Sequence, residues 1–345
     1  MYILGIETSC DDTSVSIVQD GKKILSCFSL SQYEAHKIYQ GIVPEIASRE
    51  HLKAIYSVTK HALEIANISL SEISAIAVTN YPGLIGSLVV GLNFAKGLAY
   101  SYDKPLIPIN HLVAHFYSNF FENNIEFPFL GLIISGGHTA ILIFNSFEDY
   151  IVAGKTIDDS CGEAFDKVAK YFNLGYPGGP VIDKIAKNGD PYSYNFPLAL
   201  SDIQKYGLHF SFSGIKTAVI HFRKKYKITN NVDEKLEDIL ASFQYSIAKT
   251  LLLKVKSAIK KTNIKRILVA GGSAANSQIR KSLSTLEEEG VKIYFPPINL
   301  CSDNGAMVAG LGFHYYEKYK NNKLNFLTLD AESRMPEMKR NNFKT

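Results

Sequence analysis

The sequence predicts an α/β protein of two similar lobes, and three observations predict it. A short antiparallel strand pair opens the chain and is followed by helices alternating with strands. The same order of elements begins again near residue 129. At 345 residues the chain is also long for one core and natural for two domains. The lobes expected are residues 1–127, completed by a C-terminal helix at about 305–345, and residues 128–304. Such a protein is expected to hold its ligand in the cleft where the strand-end loops of both lobes meet.

In order, Tyr2–Glu7 and Thr13–Val18 read as strands around the polar segment Thr8-Ser9-Cys10-Asp11-Asp12. Gln19-Asp20-Gly21 is a hairpin turn, because Asp-Gly tolerates positive φ, and Lys23–Phe28 returns as a third strand. Pro44 opens a long helix toward Asn67, with Ile46, Leu52, Ile55, Val58, Ala62 and Ile65 near helical spacing. Strand Ala75–Thr79, a helix through Tyr100 and strand Leu106–Ile109 follow, and Asn110 is a cap for the next helix. The second lobe starts with strand Phe129–Ile134, the turn Ser135–Thr139 and strand Ala140–Phe144. Asp158–Lys167 enters a helix that Tyr176–Pro180 interrupts, and a further helix carries Asp183. Residues 188–217 read as irregular, and a helix is expected over Ser242–Lys261. Strand Arg266–Ala270 runs through Gly271–Asn276 into a helix, and Lys292–Phe295 is the last strand. The loop Leu300–Gly305 precedes a helix to about Lys318, and the tail beyond Lys320 reads as a surface segment.

Composition narrows the class. With 46% hydrophobic and 20% charged residues, the chain is globular rather than disordered. No apolar run is long enough to span a bilayer, and the start lacks the basic and apolar regions of a secretory leader. Four scattered cysteines without a Cys-x-x-Cys pair point to free thiols in a reducing compartment. The net charge of +4 permits a nucleic-acid partner without requiring one. The basic stretches Arg223–Lys227 and Lys254–Arg266 fit polyanion contact and solvated faces equally well.

The chemistry-bearing stretch is His111-Leu112-Val113-Ala114-His115. Imidazoles four residues apart project from one helix face and suit two ligands of one zinc or iron ion. Nine histidines give roughly 0.2 such pairs by chance, so the pair alone does not decide. Two polar residues on a half-exposed helix is the competing account. Asp303, among small residues, is the candidate third ligand; a lone Asp before a helix is also an ordinary cap. Leu112 stands where the His-Glu-x-x-His peptidases carry their general base, which argues against peptide hydrolysis. Three Gly-rich turns, Ser135–Thr139, Pro177–Gly179 and Gly271–Ser273, would let backbone N–H groups approach a phosphate. None is a P-loop or a dinucleotide fingerprint.

Taken together, His111–His115, Ser135–Thr139, Gly162–Lys167, Phe210–Thr217 and Ser302–Met307, with the opening Gly5–Thr13, resemble the bacterial tRNA adenosine threonylcarbamoyltransferase family. The resemblance runs from Gly5 to about Gly310, with Tyr81 standing where the family more usually has Gly. It implies an actin/hexokinase-like duplicated fold around a nucleotide cleft. It implies transfer of threonylcarbamoyl from threonylcarbamoyl-AMP to N6 of the adenosine 3′ of the anticodon in tRNAs reading codons that begin with A. It further implies a metal, iron most often and zinc otherwise, on His111, His115 and Asp303. Ile133, Ile134, Ser135, Gly136 and Gly137 would hold the phosphate and carbamoyl region, Asp166 and Asp183 the ribose, and Gly179 and Asn276 would flank the adenosine. Glu7 and Asp11 are the expected candidates for the amine proton. The implied partners are an inert paralogue, TsaB, and a small ATPase, TsaE, in the cytoplasm. Two alternatives are a metal-dependent glycoprotease-type peptidase and a non-catalytic actin-like nucleotide-binding scaffold.

Overall fold

A computed structural model describes residues 1–225, 234–321, 326 and 328–334. The side chains of Arg223–Lys227 and most of the tail after Lys320 lie outside the described residues. The chain divides into two compact units, one formed by Met1–Ile125 and continuing from Ser302, the other by Glu126–Cys301.

The first unit opens with β1 (Tyr2–Glu7), β2 (Asp12–Gln19) and β3 (Lys23–Ser31), then α1 (Tyr33–Lys37) and α2 (Pro44–Ala66). It continues with β4 (Ala75–Tyr81), α3 (Ile85–Ser101), β5 (Leu106–Asn110) and α4 (His111–Tyr117). The second unit holds β6 (Phe129–Ile134), β7 (Thr139–Phe144), β8 (Tyr150–Lys155), α5 (Cys161–Phe172), α6 (Gly178–Ala186), α7 (Ile203–Tyr206), α8 (Ser213–Lys225), α9 (Glu234–Thr262), β9 (Arg266–Ala270), α10 (Ser277–Ser284) and β10 (Lys292–Tyr294). The last helix, α11 (Gly305–Tyr319), belongs to the first unit.

The sheets are ordered β3-β2-β1-β4-β5 and β8-β7-β6-β9-β10. Each unit's strands therefore read third, second, first, fourth, fifth. In each, the first strand pairs antiparallel with the second and parallel with the fourth. That shared topology is the duplication that two look-alike hairpins only suggested.

β1 is apolar on both faces because both are covered. Leu4 and Ile6 join Ile55, Val58, Leu88 and Leu92 of α2 and α3 in one core. On the other face Gly5 meets α11, and a side chain there would strike the Gly305 carbonyl and the Ala309 backbone. Gly305 reciprocates: its missing Cβ would lie 2.7 Å from the Ser16 nitrogen and 2.8 Å from the Gly5 oxygen. Two glycines thus let α11 lie directly on the sheet.

Several elements depart from expectation. Leu52 and Ile65 of α2 are exposed, and the buried face runs through Ala47, His51, Ala54, Ile55, Val58 and Ala62. β8 escaped notice because it is a sheet-edge strand without clear alternation. Residues 188–217 are not wholly irregular, since they hold α7 and the start of α8. The Asp158 carboxylate, more than 50 positions upstream, accepts from the Ser211 and Ser213 hydroxyls and the Phe212 N–H, so that start carried no local signal. α9 begins at Glu234 rather than Ser242, which places acidic residues in its opening turns, where they complement the helix dipole. Lys254 of α9, read as part of a basic face, is buried and donates to the Leu200 and Gly207 carbonyls at 2.6 and 2.8 Å.

Candidate active site

β1, β4 and β5 are parallel neighbours, so their carboxyl ends lie side by side. That edge of an open α/β sheet is where ligands bind. β1 ends at Glu7, β4 supplies Thr79 and β5 ends at Asn110. The Asn110 side chain accepts from the N–H groups of Leu112 and Val113, at 2.9 and 3.4 Å, and starts α4 immediately after the strand. Every residue of α4 is buried, so its histidines are not the polar residues of a half-exposed face.

The rings of His111 and His115 pack edge to face with centroids 4.6 Å apart. Asp303 reaches them from the turn before α11. The Asn304 side chain, not Asp303, caps that helix by accepting from Met307 N–H at 2.9 Å, and Gly305 N–H donates to the Ser14 hydroxyl at 2.9 Å. Asp303 Oδ1 lies 3.1 Å from His115 Nε2 and 3.6 Å from His111 Nε2. The ligand atoms of all three residues fall within 4.8 Å of one another. Neither ring nitrogen of His115 has a hydrogen-bond partner, although the ring is 1% exposed. Burying an imidazole unsatisfied is costly, and a cation shared with Asp303 removes that cost. Two neutral imidazoles and a carboxylate are a donor set suited to iron(II) or zinc. The residues fit a divalent metal.

Around the ligands, Glu7 is fully buried and fully engaged. It accepts from Ser9 N–H and the Thr79 hydroxyl, both at 2.6 Å, and contacts His111 Nδ1 at 3.1 Å. Burial pushes the His111 imidazole down, but the Glu7 and Asp303 carboxylates outweigh it and raise its pKa to about 9. Asp11 and Asp12 are both half-buried beside this cluster, Asp11 in the turn after β1 and Asp12 at the start of β2. Burial, with repulsion from Asp303, raises Asp11 above the usual carboxylate range; burial, Asp303 and Asp11 together raise Asp12 to about 7. Thr79, Ser9 and Asp12 were not singled out in the sequence. A lone Thr at a strand end forms no motif, and Asp12 was read only as part of a polar turn.

In the second unit, Ile133 and Ile134 are buried at the end of β6 and deliver the Ser135–Thr139 turn. Ser135 holds that turn by donating its N–H to the His138 carbonyl at 2.8 Å and accepting the His138 N–H on Oγ at 3.1 Å. Gly136 and Gly137 are exposed, with open space where a Cβ would stand. Gly271, at φ +91°, passes so close to β6 that a Cβ would meet the Ile134 oxygen at 2.6 Å. Asp166 accepts from Gly178 N–H at 2.7 Å, which seats the start of α6 and Gly179 against α5. Asp183 accepts from the Ser277 hydroxyl at 2.6 Å, and Asn276 caps α10 while donating to Gln244 at 3.1 Å. The structure therefore gathers Glu7, His111, His115 and Asp303 in one unit. Ser135 to Gly137, Asp166, Gly179, Asp183 and Asn276 belong to the other.

The family model described as "TsaD: tRNA N6-adenosine threonylcarbamoyltransferase" matches residues 23–310. The chain belongs to this family. It is an enzyme, a transferase, as the relatives' names agree. It is 50% identical over 344 residues to the tRNA N6-adenosine threonylcarbamoyltransferase of Borrelia hermsii, covering 98% of each chain. It is 49% identical over 318 residues to that of Treponema denticola, covering 92% of this chain and 93% of the relative. Among solved structures it resembles HypF of T. kodakarensis (TM-score 0.62, 14% identity, 92% of this chain and 48% of that one). It also resembles component A of the Acidaminococcus fermentans (R)-2-hydroxyglutaryl-CoA dehydratase (TM-score 0.56, 17% identity, 92% and 98%). At such identities the likeness concerns the fold alone, which is actin/hexokinase-like, as expected from the sequence. No helix among the described residues is long and apolar enough to cross a membrane.

Proposed function

We propose that this chain transfers the threonylcarbamoyl group of threonylcarbamoyl-AMP to N6 of the adenosine immediately 3′ of the anticodon, in tRNAs reading codons that begin with A. The observation that carries the proposal is the buried His111–His115–Asp303 cluster in a chain matched to the transferase family over residues 23–310. Those three residues would hold a divalent ion, iron by preference and zinc otherwise. When bound, such an ion supplies Lewis acidity to a substrate oxygen.

The rest falls to the chain's own groups. The exocyclic amine attacks the carbamoyl carbon, the carbon–oxygen bond of the mixed anhydride breaks, AMP leaves, and one amine proton must be accepted. Asp11 is the assigned acceptor, because it is half-buried and raised above the ordinary carboxylate range. Glu7 is a poorer acceptor, since its buried oxygens are already occupied. The Gly136–Gly137 turn and the residues that precede it, Ile133 to Ser135, are assigned to the phosphate and carbamoyl region. Asp166 and Asp183 are assigned to the ribose hydroxyls, and Gly179 and Asn276 to the flanks of the base. The proposal includes action in the cytoplasm alongside TsaB and TsaE.

A metallopeptidase is disfavoured by the buried, apolar Leu112 at the general-base position. The transferase and scaffold readings separate in cells. With H111A as the only copy, mass spectrometry of digested bulk tRNA is expected to show loss of threonylcarbamoyladenosine. An unchanged nucleoside level would favour the scaffold.

A further inference from the structure

His111 and His115 look equivalent in the sequence, yet the structure treats their rings differently. His115 has Nε2 toward Asp303, at 3.1 Å but without hydrogen-bond geometry, and its Nδ1 has no hydrogen-bond partner. His111 has Nε2 toward Asp303, at 3.6 Å, and Nδ1 toward Glu7 Oε2 and Ser9 Oγ, both at 3.1 Å. Glu7 cannot swing away from this task. Its Oε1 is held by Ser9 N–H and its Oε2 by the Thr79 hydroxyl, each at 2.6 Å, and the side chain is 0% exposed.

We propose that Glu7 is a positioning residue for the metal centre: it accepts the Nδ1 proton of His111 and thereby commits Nε2 of that ring, with its lone pair, to the cation. The inference rests on the metal reading above. A ligating imidazole binds through one nitrogen, and the hydrogen bond made by the other decides which one. A carboxylate can only accept while ionised, so of the two neutral tautomers it selects the one with the proton on Nδ1 and the lone pair on Nε2, the form that a cation needs. Ser9 Oγ cannot enforce this by itself, because a hydroxyl donates or accepts as required. Gln at position 7 would lose the selection. With its carbonyl oxygen on Ser9 N–H, its amide would donate to Nδ1 and drive the proton to Nε2, the wrong nitrogen for the cation. His115 has no such partner, so the pair comprises one oriented and one unoriented ligand.

The test is zinc titration by calorimetry of the metal-free full chain, comparing wild type with Glu7→Gln and Glu7→Asp. Glu7→Asp keeps the charge but withdraws it by one methylene. Both variants are expected to bind Zn2+ about 10–100-fold more weakly, the usual effect of losing such a partner. Wild-type affinity in either variant overturns the inference while leaving the metal reading intact. Failure of wild type to bind Zn2+ overturns both. Should the variants not fold, nitrogen-15 NMR of histidine-labelled, zinc-loaded wild type decides alone. A proton on Nδ1 and metal on Nε2 of His111 is expected, and the opposite arrangement overturns the role.

Discussion

A buried imidazole without a partner makes His115 a point where stability and function oppose each other. Replacing it with Leu keeps an apolar side chain of similar bulk and removes the unsatisfied nitrogens. In the presence of a chelator, His115→Leu is expected to raise the unfolding free energy in urea by about 1–3 kcal/mol while abolishing zinc binding and transfer. A less stable variant would mean that the ring is satisfied in the metal-free protein. A second histidine gives a pH signature. His51 is buried in α2, with Nδ1 2.7 Å from the Thr13 hydroxyl and Nε2 3.0 Å from the Cys10 carbonyl, and so braces the turn that carries Asp11. Burial holds its pKa below the usual 6.5. The folded state therefore takes up this proton less readily than the unfolded chain. Its stability contribution is present above pH 6.5 and is lost as pH falls through the lowered value. Urea midpoints from pH 7 to pH 5 should fall less for His51→Gln than for wild type.

At the scale of elements, the metal cluster depends on how closely α11 approaches β1 and β2. Gly305→Ala would drive a Cβ to within 2.7 Å of Ser16 backbone and 2.8 Å of Gly5 backbone, neither of which can rotate away. α11 must then shift and carry Asp303 with it. The expected outcome is a loss of about 1–3 kcal/mol in urea denaturation together with weaker zinc binding. Gly136→Ala is the counterpart: nothing lies within 4 Å of its missing Cβ, so stability is expected to stay within about 0.5 kcal/mol. Any loss of donor binding in that variant would then report on the phosphate turn itself. Unchanged stability and metal binding in Gly305→Ala would refute the close-approach argument.

Across the whole molecule, what the sequence revealed was what local pattern encodes. Asn110 before an apolar helix, Asp-Gly between strands and the His-x-x-x-His spacing each act within a few residues. The duplication was legible as a repeated order of strands and helices, and the shared strand order of the two sheets bears it out. What stayed hidden was set at a distance. The start of α8 depends on Asp158, the burial of Lys254 on carbonyls near residues 200 and 207, and the environment of His111 on Glu7 and Thr79 from other strands. Exposure of Leu52 and Ile65 was likewise invisible, because helical spacing marks a stripe without saying which of its edges is covered. The central claim is that two histidines and an aspartate hold a cation needed for acyl transfer to tRNA. Its most direct measurement is reconstitution of the purified chain and its partners with threonylcarbamoyl-AMP and unmodified tRNA, with and without a chelator. The account predicts threonylcarbamoyladenosine in the tRNA, its loss on chelation and its return on adding iron(II) or zinc. Equal product with and without the chelator, from protein shown to be metal-free, would contradict it.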